Sequence, residues 1–203
     1  MKKEKRDVNG KIKETLWTRF KSWRLGRKIR KGKLPRGRTA SEVLKAIHDS
    51  TKGEMTEIWG ILSAVLIRKD GTRKDFGVIS IRKVTVAFRD YIVDSLQNSG
   101  TYPLSNFKYH GSGTGVVAEA NTDTALGTEV ESRVSGSQAE AAANIYRTVG
   151  TISYTGTRAI TEHGVFSAST SGTLMDRSVF SAINVISSDQ IQFTYDCTFA
   201  AET

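Results

Sequence analysis

The 203-residue chain has one cysteine, two prolines and three histidines. Cys197 alone cannot form an intramolecular disulfide, and its place on the apolar side of an alternating run makes it a small buried hydrophobe. No stretch approaches the roughly 18 consecutive apolar residues of a membrane span, and the N-terminus lacks the apolar core of a secretory signal. Synthesis and residence in a reducing cytoplasm, with no membrane partner, are the expectation. His48, His110 and His163 do not stand at metal-ligand spacing with cysteine or carboxylates, so no metal and no cofactor is expected.

Positive charge is abundant but confined. Residues 1–38 hold sixteen Lys and Arg against Glu4, Asp7 and Glu14, a net charge of +13, whereas the whole chain carries +9. The other 165 residues therefore carry −4. The sequence pI near 9.7 describes an arm, and not the surface of a folded body. Within that arm Leu16, Phe20 and Trp23 fall at helical spacing, with Trp17, Lys21 and Arg24 beside them. Aromatic rings interleaved with Arg24, Arg27, Lys28, Arg30 and Lys31 fit poorly with a purely solvated tail. Trp17, Phe20, Trp23 and these five basic residues are the candidate anchoring residues, for a protein surface first and for nucleic acid second.

Leu34-Pro35-Arg36-Gly37 breaks the chain, and a short helical pattern follows from Thr39 or Ser41 to about Lys52-Gly53. Two apolar runs, Ile58 to Ile67 and Phe76 to Ile81, flank Lys69-Asp70-Gly71-Thr72 and predict a β-hairpin. Val84 to Leu96 spaces Phe88, Ile92 and Leu96 by four, which predicts an amphipathic helix stopped at Asn98-Ser99-Gly100. Strands are expected next around residues 107–109, 130–134 and 145–154. Three more close the chain, at residues 159–166, 173–185 and 190–199. In the last, Ile191, Phe193, Tyr195, Cys197 and Phe199 alternate strictly with polar residues, the period of a strand with one buried face. Short polar clusters between these three segments favour consecutive antiparallel neighbours. The fold class is mainly β: a β-sandwich or jelly-roll-like C-terminal domain over 101–203, a helix, hairpin and helix over 39–100 joined to it, and the basic arm over 1–38.

Thr161-Glu162-His163-Gly164-Val165-Phe166, followed by Leu174-Met175-Asp176-Arg177-Ser178-Val179-Phe180-Ser181-Ala182-Ile183-Asn184, resembles the C-terminal signature of a family of small virion proteins of tailed bacteriophages. There an "ITE-hydrophobic-GLF" strand precedes a "(L/M)xRxVF.A(I/V)N" strand. Tyr109-His110-Gly111-Ser112-Gly113-Thr114-Gly115 and Asp123-Thr124-Ala125-Leu126-Gly127-Thr128-Glu129-Val130 are similar to its "YHGxGTG…DTALxTE" segment. The resemblance covers about Tyr91 to the C-terminus. It implies a virion structural component, labelled in that family variously as head or tail-fibre protein.

The residues from His110 to Gly115 also invite a phosphate-loop reading, but they lack the Gly-Lys-Ser/Thr ending, and a tight strand exit accounts for the glycines. Ser112 with His110 or His163 and Asp123 or Asp176 can be drawn as a hydrolytic triad, and Glu162 with Asp176 as paired carboxylates. No nucleophile-elbow pattern accompanies them, and Arg177 and Arg158 offer the carboxylates ordinary ion pairs. The chain is therefore expected not to be an enzyme. The expected function is a capsid decoration or cement protein, anchored by its arm to other virion subunits. A tail, neck, baseplate or fibre component is the alternative, and a virion DNA-binding protein the third. Leu174 to Val185 is apolar on both faces, which predicts a homo-oligomer, a trimer by what the resemblance implies.

Overall fold

The computed structural model describes residues 58–199, all within one compact unit. The candidate arm residues Trp17, Phe20, Trp23, Arg24, Arg27, Lys28, Arg30 and Lys31, and the helix expected after Thr39, lie outside the described residues. The hairpin forms as its sequence predicts, with β1 at Ile58–Ile67 and β2 at Arg73–Lys83. Gly71 takes φ +84° at the turn, where a side chain would be strained. The helix α1 follows at Val86–Gln97, its N-cap Thr85 accepting the Phe88 amide, with Asn98 at its C-cap. A short 3-10 turn at Leu104–Asn106 leads into β3 at Tyr109–Gly113. Six strands complete the described body: β4 at Glu129–Ser135, β5 at Ser137–Ala142, β6 at Ile145–Ser153, β7 at Arg158–Phe166, β8 at Leu174–Val185 and β9 at Gln190–Phe199.

These strands form a mainly β fold of two antiparallel sheets, a β-sandwich. One sheet runs β2-β1-β9-β6-β5 and the other β4-β3-β7-β8. The hairpin thus sits at one side of the larger sheet, with β1 paired along its whole length to β9. Leu62, Leu66, Ile152, Ile191 and Phe193 from one sheet meet Val165, Met175, Ile183 and Val185 from the other in a common core. Phe88 of α1 and Phe107 pack edge-to-face at 4.8 Å within that core.

Four details go beyond or differ from what the sequence suggests. β7 and β8 are antiparallel neighbours, but β9 crosses to the other sheet and inserts between β1 and β6, so the last three strands are not one meander. The apolar face of α1 is half used: Phe88 is buried, while Leu96 is 84 % exposed and Val93 63 %. Ser137–Ala142, which has no apolar alternation, forms the exposed edge strand β5, held by its ladder to β6. Finally, the doubly apolar start of β8 is covered from within the chain, since Leu174 packs with Leu126 and Phe166. That cover accounts for Leu174, while Phe180 further along the strand is half-buried and Ala182 is exposed.

Candidate functional site

Glu162 of β7 is fully buried, and four donors converge on its carboxylate. The backbone amides of Gly115 and Thr128 reach Oε1 at 2.9 and 2.7 Å, and the amide of Gly127 and Nε of Arg177 reach Oε2 at 2.9 Å each. Burial alone would raise this carboxyl, but the bonds from Thr128, Gly127, Arg177 and Gly115 outweigh it and hold the pKa below its ordinary value. Arg177, on β8, donates in turn to Asp123 Oδ2 at 2.9 Å and to the Val117 carbonyl at 3.2 Å. Burial works against its charge, and the bonds to Asp123 and Glu162 more than restore it. The donor set is saturated: a carboxylate accepting four bonds has little capacity left to serve as a base.

What these bonds hold is the 114–128 connection between β3 and β4. Thr161 adds a bond from its hydroxyl to the Gly115 carbonyl at 2.9 Å, and the Thr114 amide bonds the Thr128 carbonyl at 2.9 Å. The loop is thereby fixed at both feet, while Val116 and Val117, next to the first foot, are 74 % and 73 % exposed. His110 to Gly113 lie inside β3, and not at a strand exit as expected. Their glycines serve close approach: a Cβ on Gly113 or Gly115 would overlap Glu162, and neither residue has positive φ.

Three further buried polar contacts involve β3: one joins it to β7 in the same sheet, and the others reach β6 of the other sheet and the residue that follows it. His110 Nδ1 meets His163 Nε2 at 3.0 Å, and His110 Nε2 meets the Thr148 hydroxyl of β6 at 3.0 Å. The Ser112 hydroxyl meets that of Tyr154 at 3.0 Å. Burial drives His110 down to about pH 4, and burial together with His110 drives His163 well below its ordinary value. Both rings are therefore neutral at pH 7, and the triad drawn from the sequence is not assembled. Ser112 bonds a tyrosine, both nitrogens of His110 are used elsewhere, and Asp123 belongs to Arg177. Nor do Glu162 and Asp176 form a pair, since their ladder partners on the opposite strand are Val179 and Val165. Arg177 takes the ion-pair role expected of it, whereas the Arg158 guanidinium bonds the Thr157 carbonyl.

Asp176 is the buried group that sequence reasoning misjudged. Its Oδ1 accepts from Ser178 at 2.8 Å, but Oδ2 and the hydroxyl of Tyr195 have no hydrogen-bond partner among the described residues. Both atoms converge on Gly60 of β1, where a Cβ would overlap them. Burial raises the Asp176 carboxyl to about 7, against the lowering effect of Ser178 and Arg82. The signal that could have marked this place is Gly60, an isolated glycine in an apolar strand, which announces close approach of another group.

Beside the network, α1, the β5–β6 hairpin and the end of β9 enclose an apolar groove of about 760 Å³. Phe88, Ile92, Met175, Tyr146, Cys197 and Phe199 line it. Cys197 is buried as expected, and burial pushes its thiol far up. Among the described residues no group of three or more His, Cys, Asp or Glu gathers to hold a metal, and no helix is long and apolar enough to cross a membrane. No family model, no curated protein and no solved structure matches the chain.

Proposed function

We propose that the chain is a structural component of a tailed-phage virion, a capsid decoration or cement protein whose basic arm anchors it to neighbouring subunits. One observation carries this reading. The four segments that resemble phage virion proteins supply, respectively, Gly115, the Asp123–Thr128 stretch, Thr161 with Glu162, and Arg177, and these converge on one network that stiffens a surface loop. Saturated acceptors favour rigidity over turnover, which suits a protein that endures on a particle surface. Confinement of the +13 charge to residues 1–38 supports the anchoring role of the arm, with its tryptophans set against a partly apolar groove on a partner.

The test is incorporation. Deleting residues 1–38 is expected to leave a soluble, folded body that no longer enters particles; normal incorporation would end the anchoring reading. Retention on genome-filled particles but not on empty ones would move the arm to DNA, and binding would then weaken with salt at a log–log slope of about 0.9 per phosphate contacted.

A further inference from the structure

Among the described residues the two sheets have four lateral edges, and three of them are guarded. The β2 edge bears Arg73, Lys74 and Lys83, two register shifts and Gly77 at φ +62°. The β4 edge bears Glu129, Glu131 and Arg133, with Glu131 itself at φ +59°. Along β8 the Thr85 amide and hydroxyl take the Met175 and Leu174 carbonyls, and Arg68 takes that of Asn184. Charge, irregularity and cover are the means by which proteins keep strand edges from pairing. The β5 edge has little of any: every residue of Ser137–Ala142 is exposed, Glu140 is its one charge, and its one register shift falls between Glu140 and Ala142. Its outward amides and carbonyls are open to another strand.

The pattern of β5 selects that strand. Gln138 and Glu140 share one face, opposite Thr148 and Tyr146 of β6, and Ala139 lies on the other face, opposite Arg147. A two-fold axis perpendicular to a sheet reverses a strand but keeps its faces, so Gln138 and Glu140 can meet only each other or their own copies. An axis at Glu140 would set two carboxylates directly opposite, which is unfavourable. An axis at Ala141 would leave most of the strand unpaired. An axis at Ala139 sets each Glu140 against the uncharged Gln138, lets a small side chain meet its own copy, and is centred on the regular ladder Ser137–Glu140. We propose that β5 pairs in this way with β5 of a second copy of the chain, antiparallel about a two-fold axis at Ala139, joining the two larger sheets into one. The contact uses the same patch twice and therefore closes at two copies, and not at the three that the resemblance implies. This inference stands on the edges alone and holds whether or not the chain belongs to a virion.

The experiment is cysteine cross-linking on the full chain after nuclease treatment, in salt high enough to screen the basic arm, with copper phenanthroline as oxidant. Residues directly opposite in an antiparallel pair have Cα atoms about 4.5–5.5 Å apart, within the reach of a disulfide. Ala139→Cys is therefore expected to give a disulfide-linked dimer. Ser137→Cys, also exposed, would stand about 14 Å from its own copy and should give none. Cys197 is buried and should contribute no link. By sedimentation velocity the unaltered chain is expected to be a dimer at micromolar concentration. Ala139→Lys, which sets two lysines together on the axis, should weaken that dimer by at least about tenfold while leaving the folded spectrum unchanged. A monomeric unaltered chain, equal cross-linking of the two cysteine variants, no cross-link at Ala139→Cys, or a folded Ala139→Lys that still dimerises would each overturn the proposal.

Discussion

His110 and His163 face each other ring nitrogen to ring nitrogen at 3.0 Å, and neither has any solvent exposure. In the unfolded chain each ring takes up a proton near pH 6.5, whereas in the folded body burial holds His110 neutral down to about pH 4 and, with His110 beside it, keeps His163 well below its ordinary value. The unfolded state thus binds more protons as acid is added. Stability is expected to fall as pH drops from about 6.5 towards 4, at up to about 1.4 kcal/mol per pH unit for each ring. Denaturant titrations at half-unit steps of pH measure this directly, and a body equally stable at pH 7 and pH 5 would contradict the buried neutral pair.

Asp176 runs in the opposite sense. Its folded pKa is raised to about 7 from an ordinary 3.8, so in that window the folded body holds a proton that the unfolded chain has lost. Its contribution to stability is greatest in acid and is lost as pH rises through 7, partly masking the histidines. Asp176→Asn removes this opposing slope. Relative to the unaltered chain, the variant should gain stability between pH 4 and pH 7, by an amount on the order of a few kcal/mol, and then level off. A difference that stays constant with pH would show that Asp176 is ionised throughout.

Glu162→Gln leaves Arg177, whose side chain is 4 % exposed, without its buried counter-charge. The expected cost is about 3–5 kcal/mol. More tellingly, the amides of Gly115, Gly127 and Thr128 should exchange hydrogen together and faster than those of β7, because one carboxylate holds all three. Unchanged protection at those amides would mean that the loop is held by something else.

Phe193 has no exposure, and its ring lies 4.4 Å from that of His163. Phe193→Ala should cost about 3–5 kcal/mol. Thr194, next along β9 and facing the other side of the sheet, is only half-buried, and Thr194→Ala should fall within about 0.5 kcal/mol of neutral by thermal denaturation. Comparable losses at both positions would argue against the assignment of β9 faces.

Strand existence was legible wherever residues alternated or an apolar run met a turn, as in β1, β2 and β9. Pairing was not. Nothing in Gln190–Phe199 says that it lies between β1 and β6, because that choice depends on which sheet has room for Phe193 and Tyr195. Strand β5 was invisible for a related reason: a six-residue edge with no buried side takes its structure from the neighbour's hydrogen bonds and not from its own pattern. At the candidate site the residue types were conspicuous, but their connections were not. Glu162 and Arg177 could be matched as an ion pair from adjacent predicted strands. That the carboxylate also gathers three backbone amides from a loop 34 to 47 positions away in sequence depends on tertiary closure alone.

The ladder between β1 and β9 begins with Ile58 opposite Phe199 and ends with Ile67 opposite Gln190. Tension applied outward through Ile58 and Phe199 therefore acts on one end of the pairing and opens it rung by rung, as a zipper is drawn. A load that pulls β1 along its own axis against the rest of the sheet instead strains all ten rungs at once. The same two strands are weak in the first direction and strong in the second, so the direction of a load on this body decides how much force it withstands.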